Sequence, residues 1–131
     1  MRAARRRPVD LFHCRAGNPA VEMALLLPVF LTLVYGIVEF GRVLWTLSTL
    51  HYAVEEAARC ASINATTCGT STQIQSYAAN RASTIGVATS VFTPTTAACG
   101  HKVAASYVFP FAVSGFMPYT ITLTAQSCFP S

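Results

Sequence analysis

The pattern of apolar and polar positions changes character twice along the 131 residues of this chain. From residue 19 to residue 50 the sequence is apolar with few interruptions, and residues 23–38 carry no charge at all. A membrane-crossing helix needs about 20 mostly apolar residues, and this run supplies them. A single transmembrane helix is therefore predicted. Beyond it Val43, Leu47, Leu50, Val54 and Ala57/Ala58 recur at spacings of three and four, the stripe of an amphipathic helix. Such a stripe packs either on the protein's own domain or on a partner helix, and the pattern leaves both open. Trp45 and Tyr52 fit an interfacial aromatic belt, which places the exit from the membrane near them.

One helix over residues 19–61 is expected. Asn18 is a favoured N-cap and Pro19 suits the first helical position, where a missing N–H costs nothing. Pro28 lies inside the helix and removes one backbone bond, which predicts a bend over residues 24–28. A short second helix is predicted over residues 72–85, capped by Ser71 or Thr72, with Ile74, Tyr77/Ala78, Arg81/Ala82 and Ile85 on one face and Gly86 as its stop.

Residues 87–92, followed by Thr93-Pro94, read as a weaker strand at the edge of a sheet. Two stronger strand-like runs follow, K-V-A-A-S-Y-V-F and Y-T-I-T-L-T-A-Q. Paired antiparallel with Cys99 opposite Cys128, they would set Val103 against Thr124, Tyr107 against Thr120 and Phe111 against Phe116. The predicted class is α+β and membrane-anchored: a long helix extending into a small extracytoplasmic domain with a short helix and a two- or three-stranded antiparallel sheet.

Charge fixes the orientation. Arg2, Arg5, Arg6, Arg7 and Arg15 precede the span against Asp10 alone, whereas Arg42 and Arg59 follow it with Glu39, Glu55 and Glu56. The positive-inside rule puts the N-terminus in the cytoplasm and the chain beyond about residue 45 outside. The formal charge of +4 lies wholly within residues 1–17, and the rest of the chain is neutral. Without a basic stripe past that leader, nucleic acid is set aside as a partner. A conventional signal peptide would have an apolar region of about 7–15 residues ending in a small-residue cleavage site, but here the hydrophobic pattern runs on.

Cysteine use agrees with export. Cys14 falls in the leader, and Cys60, Cys68, Cys99 and Cys128 form an even set for an oxidising compartment. Cys60 and Cys68 flank the short loop A-S-I-N-A-T-T, so a local bridge can clamp it, and Cys99 and Cys128 bracket the two strand-like runs. The C-x7-C spacing is not the short hook of a zinc site, so no metal is expected. About 70 exported residues make a small core, for which two disulfides and the long helix would compensate.

Glu22 is the residue that asks for chemistry. A carboxylate at the centre of a membrane helix costs roughly 2.5–3.5 kcal/mol, less near the interface, and calls for a partner. Cleavage after Gly17 would give Asn18 a new α-amino group four residues from Glu22, one turn away on the same face. That ammonium could neutralise the acid within one subunit or between stacked subunits. The plainer reading is a carboxylate at headgroup depth.

Gly17, four residues, Glu22 and then an apolar run resemble the processing site of type IV prepilins and pseudopilins, in which a membrane aspartyl peptidase cuts after the glycine. More narrowly, A-V-E-M-A-L-L-L-P-V-F, then G-I-V-E-F-G-R-V-L and A-V-E-E-A-A-R-C-A-S, resemble the TadE/TadG pseudopilin family of tight-adherence (Flp) pilus systems, and the closing T-L-T-A-Q-S-C-F-P is similar to the ending of the TadE-like group. The resemblance makes Gly17 the last leader residue, Asn18 the mature N-terminus and Glu22 the +5 glutamate. Met23 stands where major Flp pilins have Tyr, which fits a minor pseudopilin. Pro19 at the second mature position departs from the pattern.

The resemblance implies a bacterial inner-membrane protein with a cytoplasmic leader over residues 1–17, a membrane helix with periplasmic extension over 18–61 and a periplasmic domain over 62–131. Its implied partners are the prepilin peptidase, other pilin or pseudopilin subunits, the inner-membrane pilus assembly machinery and the lipid bilayer, with no cofactor. An enzyme is not expected. After Glu56 the chain has no Asp or Glu, so neither paired carboxylates nor a Ser-His-Asp triad can be built from the exported part, and His51 and His101 lack an acidic orienter there. The alternative is an uncleaved single-pass protein whose outer domain binds or scaffolds something else.

Overall fold

The computed structural model describes residues 18–112 and 119–130. Its elements are helix α1 (Asn18–Ile63), a one-turn helix α2 (Ala65–Cys68), helix α3 (Ser71–Arg81), and strands β1 (Phe92–Ala97), β2 (Gly100–Phe109) and β3 (Ile121–Phe129). The chain divides into two compact units, residues 1–37 and 38–131. The leader, Gly17 and the side chain of Asn18 lie outside the described residues, as does Phe116.

In the first unit the described chain is α1 from residue 18 to 37, apolar on every side. Leu25, Leu26, Val29, Phe30, Leu33 and Ile37 are all exposed. The helix is continuous past Pro28, which cannot donate a bond to the carbonyl of Ala24. Among the described residues α1 alone is long and apolar enough to cross a membrane, and its most apolar window is entirely unburied. A helix hydrophobic all round needs an apolar solvent.

The second unit is built on the remainder of α1. Leu50, Ala53, Val54, Ala57, Ala58, Cys60 and Ala61 are buried, with Val43 and Leu47 packed against them. The stripe therefore packs on the protein's own domain, which decides the question the periodicity left open. Small side chains at four of these positions let the sheet approach closely, and the larger Leu50, Val54, Phe92 and Val103 fill the centre. Each such burial contributes roughly 1.5–3 kcal/mol relative to exposure.

Ile63 ends α1, and Asn64 breaks the helix by accepting the Thr67 backbone N–H on its side chain to start α2. The expected A-S-I-N-A-T-T loop is thus two helical ends around one capping residue. At Gly69 an added Cβ would collide with the carbonyl oxygen of Ala65, so the chain can turn there only without a side chain. Thr70 then caps α3 in a capping box with Gln73, one residue before Ser71 and two before Thr72, the expected caps. The helix ends at Arg81, short of the expected Ile85, and residues 83–85 form a 3-10 turn. Gly86, at φ 61°, closes that turn in the left-handed region.

The three-stranded antiparallel sheet has the order β1-β2-β3. The edge strand begins later than expected: residues 89–91 form a 3-10 turn and β1 runs from Phe92 through Pro94 to Ala97. Pro94 is tolerated because β1 is at the edge. Gln75 on α3 donates to the carbonyl oxygen of Phe92 at 2.9 Å and ties the start of the strand to the helix.

The register of β2 on β3 also differs from the expected one. Lys102, not Cys99, faces Cys128, while Val103 faces Ser127, Tyr107 faces Leu123 and Phe109 faces Ile121. The hydrophobic pattern supplies the reason. Val103, Ala105 and Phe109 on β2 and Leu123 and Ala125 on β3 must share the buried face, and an odd shift in register would set each opposite an outward neighbour. Cys99 lies in the tight turn between Ala97 and Gly100, from which it still reaches Cys128 with a Cα separation of 6.2 Å.

Candidate functional site

The processing and assembly residues sit at the start of α1. The helix begins at Asn18, and Glu22 and Met23 follow about one turn later with exposed side chains. The lipid-facing character of the following residues is the physical setting that Glu22 shares. Gly17, the other half of the expected cleavage site, is outside the described residues.

Cys60, Cys68, Cys99 and Cys128 form the two expected bridges. Cys60 and Cys68 are joined across a Cα separation of 5.8 Å, which locks α2 against the end of α1. The second bridge, Cys99 to Cys128, spans 29 residues and staples the β1–β2 turn to the last strand. Both separations fall within the range a disulfide can span. Ser62 at the end of α1 adds a hydrogen bond to the carbonyl oxygen of Phe129 at 3.4 Å.

Two residues that the sequence reading counts only as charges flanking the span form a pair at the beginning of the second unit. Glu39 is buried, 7 % exposed, and accepts a hydrogen bond from Arg42 at 2.7 Å. The Arg42 guanidinium lies 5.3 Å from the ring centroid of Phe109, near the end of β2. Phe111 meets Phe109 edge-on at 5.2 Å. The E-x-x-R spacing was the available signal, since residues three apart share a helix face. The part it hid was the aromatic cover from a strand about 70 residues away.

Elsewhere the polar chemistry is structural. Arg81 donates to the Tyr77 hydroxyl at 2.7 Å and lies over its ring, and that hydrogen bond holds the guanidinium above its ordinary range. His51 and His101 stand apart on α1 and β2. Among the described residues no group of three or more His, Cys, Asp or Glu side chains could hold a metal ion.

The helix that carries these features is also where the chain meets a known family. The model of the TadE-like protein family matches residues 19–59, which is most of α1 and includes Glu22, Met23, Glu39 and Arg42. Over that segment the chain is similar to TadE-like proteins. The match falls on the central part of the resemblance drawn from the sequence, and Gly17 and the closing T-L-T-A-Q-S-C-F-P lie outside it. No curated protein and no solved structure matches the chain.

Proposed function

We propose that this chain is a minor pseudopilin of a Tad-type pilus, made as a precursor with a basic cytoplasmic leader, cut after Gly17 by a prepilin peptidase, and held in the bacterial inner membrane by α1. In this reading Asn18 becomes the mature N-terminus and its ammonium pairs with Glu22, within the subunit or across to the next one. Residues 18–61 form the anchor and its extension, and residues 62–131, with the last turns of α1 in their core, form a periplasmic domain. The domain assists pilus assembly by contact with other pilin or pseudopilin subunits and the inner-membrane assembly machinery.

One observation carries the reading. The family match covers the very helix that is apolar on all sides and that opens on Glu22, five residues after Gly17. A carboxylate in that position is costly without a cation, and cleavage would create one a turn away. The two disulfides support a domain on the oxidising side.

The test is the N-terminal sequence of the protein extracted from membranes of a host that carries the Tad peptidase. A start at Asn18 is expected, with a bulky substitution at Gly17 leaving the precursor uncut. A wild-type protein that keeps its arginines would favour instead the uncleaved anchor with a binding or scaffold domain, a reading to which Pro19 already leans.

A further inference from the structure

The sheet of the second unit has two unlike ends. At one, His101 and Lys102 open β2, and the Cys99–Cys128 bridge closes the β1–β2 turn. At the other, β2 finishes on Val108 and Phe109, the chain continues through Pro110 and Phe111, and it returns through Tyr119 into Ile121. Lys102 is the last charged side chain in the sequence, so β2 and β3 bring none to this second end, where Arg42 of α1, paired with Glu39, lies against Phe109. At about 3.3 Å per residue the charged end lies some 23 Å away along β2.

The strand ends there expose apolar and aromatic groups where a soluble domain would show polar ones. Tyr119 is 75 % exposed, Val108 58 % and Ile121 45 %. Their neighbour Phe109 lies against Arg42 of α1, only three residues after the uncharged run ends at Glu39. One turn further on, Trp45 is 66 % exposed, and Leu44 beside it is exposed too. Trp and Tyr concentrate at the headgroup level of membranes, and contiguous exposed apolar surface marks an interaction site.

We propose that this end of the sheet, presented by Val108, Pro110, Tyr119 and Ile121, rests in the outer interface of the bilayer, so that lipid is a partner of the exported domain as well as of the helix. The inference rests on the membrane-anchor reading of α1. An apolar rim whose strands carry no charge, and whose neighbouring Arg42 is paired with Glu39, fits a lipid surface, whereas the Lys102 end fits water.

Trp45 is the sole tryptophan, which gives a built-in reporter. The full chain is placed in vesicles of phosphatidylcholine or of its acyl-brominated analogue, and emission is compared for the wild type, W45F/Y119W and W45F/T96W, with oxidised disulfides verified by mass in each. Bromolipid should quench Trp45 and the tryptophan at 119 by about half, as interfacial residues require, and leave the one at 96 unchanged, whereas acrylamide should quench mainly the last. If the tryptophan at 119 responds only to acrylamide, or to neither quencher because protein covers it, the proposal is overturned while a quenched Trp45 keeps the anchor. Failure of Trp45 to respond to bromolipid overturns both. On the unsubstituted chain, a diazirine-bearing phospholipid should leave adducts at Tyr119 or Ile121 within the tryptic peptide that follows Lys102, and labelling confined to α1 would equally overturn it.

Discussion

Residues 18–37 and 50–63 belong to one helix, yet their apolar side chains answer to different solvents. In the first stretch large hydrophobics point outward on every side, and in the second the apolar groups collect on one face and meet a sheet. Composition separates them less than periodicity does. Leu, Val and Phe crowd the first without a polar face, whereas the second alternates its alanines and Leu50 and Val54 with His51, Glu55 and Arg59, which are exposed. The backbone is helical in both, so what differs is the medium each segment is built to contact. Burial within protein makes side-chain volume decisive, and burial in lipid makes charge decisive.

The sharpest way to break this contrast is to remove volume. Phe92 is fully buried between the helix and sheet of the second unit, and Phe92→Ala should cost that unit about 3–5 kcal/mol. Leu27→Ala, at an exposed position in the membrane stretch, should leave the thermal transition of the same unit nearly unchanged. Near-UV circular dichroism of the full chain in detergent, followed with temperature, measures both. Equal losses of Tm would mean that the two stretches are one packed core.

Disulfide removal sharpens it next. In the loop-entropy account, the Cys99–Cys128 bridge over 29 residues is worth about 3.6 kcal/mol and the Cys60–Cys68 bridge over 8 about 2.5 kcal/mol. Paired Cys→Ser variants should therefore lose Tm in that order, with membrane extraction of both unaltered. A larger loss for the short bridge would show that locking α2 onto α1 outweighs chain entropy.

Charge is the converse probe. Leu31→Arg in the middle of the uncharged run should cost roughly 2.5–3.5 kcal/mol of membrane insertion. It should lower the fraction resistant to carbonate extraction and leave the folded domain's Tm in detergent as it was. If the domain's transition falls and insertion does not, Leu31 packs on protein and the reading of the first stretch fails.

The long helix, the class of fold, both bridges and the own-domain option for the stripe were legible because each leaves a local mark in the sequence: an unbroken apolar run, a spacing of three and four, cysteines flanking short segments. The register of β2 on β3 was misread because Cys99 was taken as a strand residue, when it occupies a turn and reaches its partner diagonally. Alternation of Val103, Ala105 and Phe109 against Leu123 and Ala125 held the correct answer, and the disulfide drew attention from it. The Glu39–Arg42 pair shows the opposite failure. Its spacing was visible, but the Phe109 ring beside Arg42 is brought near only by tertiary structure. Of the processing site, Glu22 and Met23 could be placed on the helix, and Gly17 stays an expectation drawn from resemblance.

The smallest effect tests how far the second unit depends on local signals once the helix and sheet have packed. Thr70 accepts the backbone N–H of Gln73 at 3.3 Å, and Gln73 returns its side-chain oxygen to the backbone N–H of Thr70 at 3.1 Å. Thr70→Ala removes one side of this box and should cost about 1 kcal/mol, whereas Thr70→Ser keeps the acceptor and should restore most of it. The cap is exposed and its hydrogen bonds involve neither Phe92 nor Leu50, so its loss should add to theirs rather than interact with it. A double variant with Phe92→Ala that loses markedly less than the two singles together would show that α3 is held by its cap only when the core beneath it is intact. Local capping and tertiary packing would then be a single cooperative interaction in this small domain, and the contrast with the lipid-facing stretch would extend from side-chain volume to the helix ends.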